Sequence, residues 1–179
     1  MMRGTKVALR ARQAEDVPIL HAELYEDVAM RSRADTRAWR PLPERFSPYA
    51  VGDPRDDQSY FSVVELASGE LAGEALLWNI DRHNRLAHIG ISLRPTSRGR
   101  GLGADAVRVL CTYGFSVLGL HRLQVDTLAD NTAMIRVATD LGFVREGLLR
   151  RSAWVTGDFM DEVILGLLAT EWPSEATIR

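Results

Sequence analysis

Val107, Leu110, Cys111, Phe115 and Leu118, with Gly114 among them, recur at three- and four-residue intervals. That spacing places them on one side of a helix and predicts that this side is buried. Elsewhere the apolar runs are short and strand-like. "KVALRARQAED" opens as a strand, after which Asp16 is expected to cap a helix running to about Tyr25, with Pro18 tolerated in the first turn. "YFSVVEL" and "ELAGEALLWNI", joined by a Ser-Gly turn, predict a hairpin, and "RLAHIGISLRP" a further strand stopped by Pro95. "HRLQVDTLA" is a strand; Asp130 or Asn131 then caps a second helix that ends at Leu141 with Gly142 at C′. "FVREGLLR", "AWVTGDF" and "DEVILGLL" complete a strand-rich end.

Residues 26–57 break the pattern, being rich in Pro, Arg and Asp. A connection of that length usually carries function or hides short helices. The sum is an α/β chain with a mixed sheet, antiparallel hairpins and two crossover helices, without internal repeats, and residues 1–179 are expected to form one domain.

Composition narrows the class. The chain has 179 residues, 46% hydrophobic and 26% charged, ordinary values for a soluble globular domain. A net charge of −2 gives no basic bias toward nucleic acid or an anionic membrane, so neither partner is expected. Cys111 is the single cysteine and cannot form an internal disulfide, which fits a reducing compartment. The N-terminus lacks an apolar signal region and no run reaches transmembrane length, so the expected location is cytoplasmic. His83 and His121 lie at turns without a Cys or a paired His nearby, so no metal is expected.

Candidate chemistry begins at "RPTSRGRGLGADA". Gly99, Gly101 and Gly103 let the backbone approach a ligand closely, and the following helix start offers unsatisfied amides and the positive dipole end. Arg98 and Arg100 add charge-assisted donors, so the loop suits a diphosphate. A glycine-rich chain reversal with solvated arginines is the plainer alternative. No Lys-Ser/Thr follows the glycines, which excludes a Walker loop, and the N-terminal hairpins do not fit a parallel dinucleotide-binding sheet.

The stretch from "RPTSRGRGLGADA" through "LGLHRLQ" and "ADNTAMI" to "LGFVREGLLR" closely resembles the acetyl-CoA-binding core of the GNAT N-acetyltransferases. With "WVTGDFMDEVIL", it is similar to the Rim-type branch that acetylates ribosomal-protein N-termini. The resemblance spans about residues 86–168. It implies a strongly twisted mixed sheet whose central strands splay to admit coenzyme A. Pantetheine would then pair with the edge of Gly90, Ile91, Ser92 and Leu93. The pyrophosphate would sit on Arg98, Gly99, Arg100, Gly101, Leu102, Gly103 and Ala104, and Asn131 would lie near the pantetheine arm as well as capping its helix.

The implied reaction is direct acetyl transfer from acetyl-CoA to a primary amine in a ternary complex. A strand amide near Ile91 or Ser92 would polarise the thioester carbonyl. Many relatives place a tyrosine where this chain has Ala138, or a serine where it has Met134, to protonate the leaving thiolate. A thiol with a pKa of about 8.5 leaves with little help, so the reaction survives that loss. His88 stands where relatives often carry a glutamate and is the expected base; Asp126, on the opposing strand, is the second candidate. Trp39, Arg40 and Tyr49 are candidates for the acceptor pocket, although Trp39 and Phe46 also read as anchors of the long segment. Carboxylates such as Glu23, Glu26, Asp27 and Asp35 would attract a cationic amine or simply face solvent. A protein N-terminus is the first expectation for the acceptor. A small amine (polyamine, amino acid or antibiotic) follows, and a CoA-binding sensor without turnover is the rival from another class. The apolar "MDEVILGLLATEW" would be an uncovered strand and a route to a homodimer.

Overall fold

In the computed structural model, which describes residues 1–35 and 37–173, the strand-like segments build one eight-stranded sheet. In chain order the strands are β1 (Met2–Arg3), β2 (Val7–Arg10), β3 (Gln58–Glu65), β4 (Leu71–Asp81), β5 (Leu86–Leu93), β6 (Arg122–Leu128), β7 (Val144–Val155) and β8 (Asp158–Leu168). Their spatial order is β1-β2-β3-β4-β5-β6-β8-β7. Every neighbouring pair is antiparallel except β5–β6. The helices are α1 (Asp16–Leu20), continued by a π turn at His21–Tyr25, α2 (Val28–Ala34), α3 (Leu102–Thr112), continued by a π turn at Tyr113–Val117, and α4 (Thr132–Asp140).

Alternation along the strands sorts the sheet into two sides. Trp78, Leu76 and Glu74 of β4 stand directly opposite His88, Gly90 and Ser92 of β5, so all six share one side. Gln124 of β6 faces His88, which puts Gln124 and Asp126 on that side too. The other side presents Ala75, Leu77, Ala87, Ile89, Leu123 and Val125, all buried. They pack with Ala106, Val107, Leu110 and Cys111 of α3 and Ala138 of α4 in the main core. Each buried Leu, Ile or Val contributes about 1.5–3 kcal/mol, so this layer fixes the register of β4, β5 and β6.

The predicted helical stripe is buried from Val107 through Gly114, but Leu118 is exposed, because the π turn shifts the stripe after Thr112. Asp16 is the first residue of α1, and Glu15 occupies the N-cap. The Asp16 carboxylate instead accepts from Gln13 N at 2.9 Å, Ser62 Oγ at 2.7 Å and the Arg10 guanidinium, clamping α1 to the His88 side of the sheet. Tyr113 also gains a place, stacking edge-on against Phe61 with its hydroxyl 3.3 Å from Ser59 Oγ.

Two C-terminal expectations change. "FVREGLLR" and the start of "AWVTGDF" fuse into one long strand, β7, with register shifts between Arg145 and Gly147 and between Leu149 and Ala153. The apolar β8 is not an edge: it lies between β6 and β7 and pairs with both, and its Val163, Leu165 and Leu167 are buried in the main core. The edges of the sheet are the two-residue β1 and the long β7.

Candidate active site

The single parallel ladder is short. Leu86, Ala87 and His88 pair with Arg122, Leu123 and Gln124, and there the ladder stops. β5 continues to Leu93 and β6 to Leu128, still held on their outer sides by β4 and β8. The two strands therefore enclose a wedge that opens beyond His88. Gly90, Ile91, Ser92 and Leu93 line one wall, without a ladder on the wedge side. Such an edge can take an extended ligand by main-chain hydrogen bonding.

Because β5 and β6 run the same way, the helices that follow both begin at the wide end. Gly99 and Gly101 turn the chain with φ of +72° and +79°, the left-handed region that glycine adopts without a steric penalty. Gly101 is the N-cap of α3 and no side chain caps it. The first helical bond runs from Asp105 N to Gly101 O at 3.3 Å, leaving the amides of Leu102, Gly103 and Ala104 as unsatisfied donors of the first turn. A negative charge in that turn, Asp105, would oppose an anion, but it is sequestered. Its carboxylate accepts from the amides of Thr5, Lys6 and Val7 at 3.1, 2.7 and 2.9 Å and from Thr5 Oγ1 at 3.0 Å. Burial pushes this carboxyl up, and the backbone bonds outweigh it and hold it below the usual carboxylate range.

The arginines of the loop are placed differently from each other. Arg100 pairs with Glu65 of β3. Arg98 donates through Nε to the carbonyl of Leu93 at 3.0 Å. Lys6, which sequence reasoning missed, donates from Nζ to the carbonyl of Arg100 at 3.0 Å and adds a cation to the loop. No motif marks Lys6, since its place follows from Asp105 gripping the N-terminal strand. On the other wall, Asn131 caps α4 by accepting from Met134 N at 3.2 Å, and its Nδ2 donates to Thr127 Oγ1 at 2.9 Å.

His88 and Asp126 meet across the throat of the wedge, with Nδ1 2.5 Å from Oδ2. An ionised carboxylate can only accept, so Nδ1 carries a proton, and whenever the ring is neutral Nε2 is the nitrogen left to take one. Trp78 lies against the imidazole, ring centroids 4.5 Å apart, and restricts its rotation. Ala138, at the position of the family tyrosine, is fully buried in the main core. Met134 is half-buried against the same core.

The segment 26–57 contains α2 and a short turn at Glu44–Phe46. It lies on the His88 side, joined to the sheet through Tyr49, Arg31, Arg12 and Glu74. Arg12 reaches Glu74 at 2.5 Å, and Arg31 donates to the Tyr49 hydroxyl at 3.3 Å. Burial pushes the Glu74 carboxyl up against the pull of Arg12. Tyr49 is fully buried and belongs to a second core with Leu20, Leu24, Tyr25 and Leu71, so it supports a pocket from behind and does not line one. Trp39 packs on that core and donates to the Tyr25 carbonyl at 3.0 Å, as an anchor would. Trp39 and Tyr25 also line a shallow pocket of about 380 Å³ with Glu26 and Pro41. Arg40 is exposed, its carbonyl accepting from the Tyr25 hydroxyl. Phe46 is 61% exposed and anchors nothing.

Most carboxylates expected to attract a cation are occupied. Glu23 pairs with Arg94 and Asp35 with Arg31 and Arg37, while Asp27 caps Met30 N. Asp130, next to the α4 cap, pairs with Arg33. Glu26 is largely exposed, 3.7 Å from His21 Nε2.

Comparison with known proteins agrees with this geometry. The GNAT acetyltransferase domain family matches residues 6–144. Over 144 residues the chain is 33% identical to a Bacillus subtilis protein named "Putative ribosomal N-acetyltransferase YdaF", covering 80% of this chain and 75% of that one. It is 29% identical over 119 residues to the spermidine N(1)-acetyltransferase of Escherichia coli K12, covering 66% and 64%. The fold also matches a crystal structure of Vibrio cholerae spermidine N-acetyltransferase in complex with CoA and spermine. There the TM-score is 0.80 at 19% identity, over 94% of this chain and 98% of that one. Among the described residues no helix is long and apolar enough to cross a membrane, and no three His, Cys, Asp or Glu side chains converge as metal ligands would. The chain belongs to the GNAT acetyltransferases and is an acetyl-CoA-dependent N-acetyltransferase of that kind.

Proposed function

We propose that this enzyme acetylates the α-amine of a peptide or protein N-terminus by direct attack in a ternary complex, with His88 as general base and Asp126 holding its ring. The observation that carries the reading is the 2.5 Å His88–Asp126 pair at the throat of the wedge. The cofactor's pantetheine lies along Gly90, Ile91, Ser92 and Leu93 and its diphosphate on the first-turn amides of α3, with Arg98 and Lys6 nearby. The thioester then faces His88. His88 Nε2 removes a proton from the ammonium or the attacking amine. The nitrogen attacks the carbonyl carbon, the oxyanion is met by a strand amide near Ile91 or Ser92, and the C–S bond breaks to release CoA thiolate. No side-chain acid replaces the missing tyrosine; the thiolate departs on its own modest basicity.

The choice of an α-amine rests on charge. With Glu23, Asp35, Asp130 and Glu74 each paired to arginine, the His88 side offers a polycation few free carboxylates. An α-amine with a pKa of about 8 is partly neutral near pH 7 and needs less help than a lysine-like amine near 10.4. The kinship with spermidine acetyltransferases supports a polyamine as the second reading. The test is CoA-thiol release from acetyl-CoA with a panel of short peptides, their N-blocked forms, spermidine and amino acids. Turnover confined to free-N-terminus peptides supports the proposal. Turnover confined to spermidine replaces it with the second reading. Thiol release with none of the amines, together with intact CoA binding, would leave a sensor domain.

A further inference from the structure

The Asp126 carboxylate has a second oxygen, and it is not idle. Gln124 donates to Asp126 Oδ1 from Nε2 at 2.8 Å, and Gln124 Oε1 accepts from Arg122 Nη2 at 3.0 Å. Arg122 in turn makes a two-pronged pair with Glu146 of β7, one prong being Nη1 to Oε1 at 2.7 Å. The side chains Glu146, Arg122, Gln124, Asp126 and His88 thus form one unbroken chain of polar contacts ending at the imidazole. Its polarity has a single solution. A guanidinium only donates and a carboxylate only accepts, so the Gln124 amide must turn its oxygen to Arg122 and its nitrogen to Asp126.

Two features of β7 and β8 make the chain possible. Arg122 and Glu146 stand on strands separated by β8, and their pair passes over Gly166, the residue that faces both Gln124 and Val144. A Cβ on Gly166 would lie 2.5 Å from both Arg122 Nη1 and Glu146 Oε1. Glu146 itself falls where the β7–β8 register shifts between Arg145 and Gly147. A bulge re-aims the side chain it carries, here toward Arg122.

We infer that Gln124, Arg122 and Gly166 are positioning residues of the acetyl transfer, acting through Asp126 to set the orientation and basicity of His88. None of them reaches the reacting atoms. Gln124 shares the carboxylate's charge and fixes its plane, so that Oδ2 stays aimed at Nδ1 and Nε2 stays aimed away from it. The inference rests on His88 being the base. The charged groups along this network are Asp126, which touches the ring, Arg122 on β6, Glu146 on β7, and Glu171, whose charge acts on Arg122. From β4 the direct contact is the uncharged Trp78, with Glu74 on the same side, opposite Ser92.

The experiment is a double-mutant cycle of Gln124→Leu with His88→Ala, read as kcat/KM for the best amine of the panel across pH 6 to 9. Gly166→Ala serves as a second, independent lesion, and CoA affinity as the check that each variant is folded. Removing the Gln124 donor leaves a more basic carboxylate, so the acid limb should move to higher pH. The NMR titration of the His88 ring should move with it. In the wild-type background we expect a loss of about tenfold in kcat/KM at neutral pH, with KM for acetyl-CoA unchanged. In the His88→Ala background Gln124→Leu should cost nothing more, because residues acting through one group are not additive. Full additivity, or a His88 titration that Gln124→Leu leaves in place, overturns the inference while the base assignment stands. Wild-type activity in His88→Ala overturns both.

Discussion

His88 sits opposite Gln124 on the last rung that β5 and β6 share, so the imidazole stands where the sheet stops being continuous. A base in that position can face an amine arriving from the α1–α2 side and a thioester arriving along β5. For His88→Ala the expected loss in kcat/KM is about 10²-fold, the lower range for removing a general base, with CoA affinity unchanged. The acid limb of the pH–rate profile should move or vanish. A wild-type rate from pH 6 to 9 would mean that a neutral amine is simply held in place.

The loop before α3 gives a binding prediction. Gly101 has φ of +79°, and a Cβ there would lie 2.9 Å from Lys6 Nζ. Gly101→Asp therefore strains the turn, disturbs Lys6 and sets a negative charge beside the first-turn amides. Losing one charge-assisted contact costs about 1.5–3 kcal/mol, so titration calorimetry should show CoA binding weakened by at least about tenfold. Unchanged affinity would reduce the loop to a chain reversal.

Asp105 gives a prediction about stability. Its carboxyl is held below its ordinary value, so its contribution is complete above the unfolded carboxylate pKa of about 3.9 and disappears as pH falls through the lower folded value. Asp105→Asn turns an amide against backbone donors and should cost about 1.5–3 kcal/mol at pH 7. The difference from wild type should narrow on acidification below about pH 4. Urea melts of both proteins at pH 7 and pH 3 measure it, and a gap that stays constant with pH would contradict the assignment.

Restoring the family tyrosine is expected to fail. Ala138 is fully buried, so a phenol there must displace packed core atoms, at about 1–3 kcal/mol. Ala138→Tyr should lower Tm by several degrees, roughly 2–4 °C per kcal/mol for a chain of this size, without raising kcat. A faster, equally stable variant would show that the wedge has room for the acid.

Strand β7 is the natural place for a second copy to join. Val144, Leu148, Leu149 and Trp154 along it are exposed, Trp154 at 61%, and Phe159 stacks on Trp154 from β8. An edge this apolar invites pairing. Sedimentation at micromolar concentration is expected to show a dimer that Leu148→Lys with Trp154→Ser converts to monomer. A monomeric wild type would remove the expectation.

Much of this was readable in advance because it is local. The α3 stripe as far as Gly114, the Gly99–Gly101 turn and the Asn131 cap depend on neighbours a few residues away, and each stands where its pattern puts it. What escaped was set by partners far along the chain. Asp105 grips residues 5–7, Arg100 turns to Glu65, and Arg33 and Arg94 silence Asp130 and Glu23. Tyr49 looked like a pocket residue because aromatic side chains suit both a pocket and a core, and only packing separates the two. The apolar composition of β8 does not make it an edge, for a topological reason: β8 returns between β6 and β7, an order that no single strand's composition reveals.

The three-rung ladder between β5 and β6 divides the sheet into a five-strand block ending at β5 and a three-strand block of β6, β8 and β7. Besides those rungs, α3 and α4 bridge the blocks on one side, and the His88–Asp126 and Arg33–Asp130 pairs on the other. A ligand filling the wedge would act as a missing interstrand contact, and it can do so only in the folded chain. Thermal resistance should therefore depend on occupancy, rising by about 2.7 kcal/mol at a ligand concentration of one hundred times Kd. The melting temperature of this enzyme is then a property of the nucleotide pool around it as much as of its sequence.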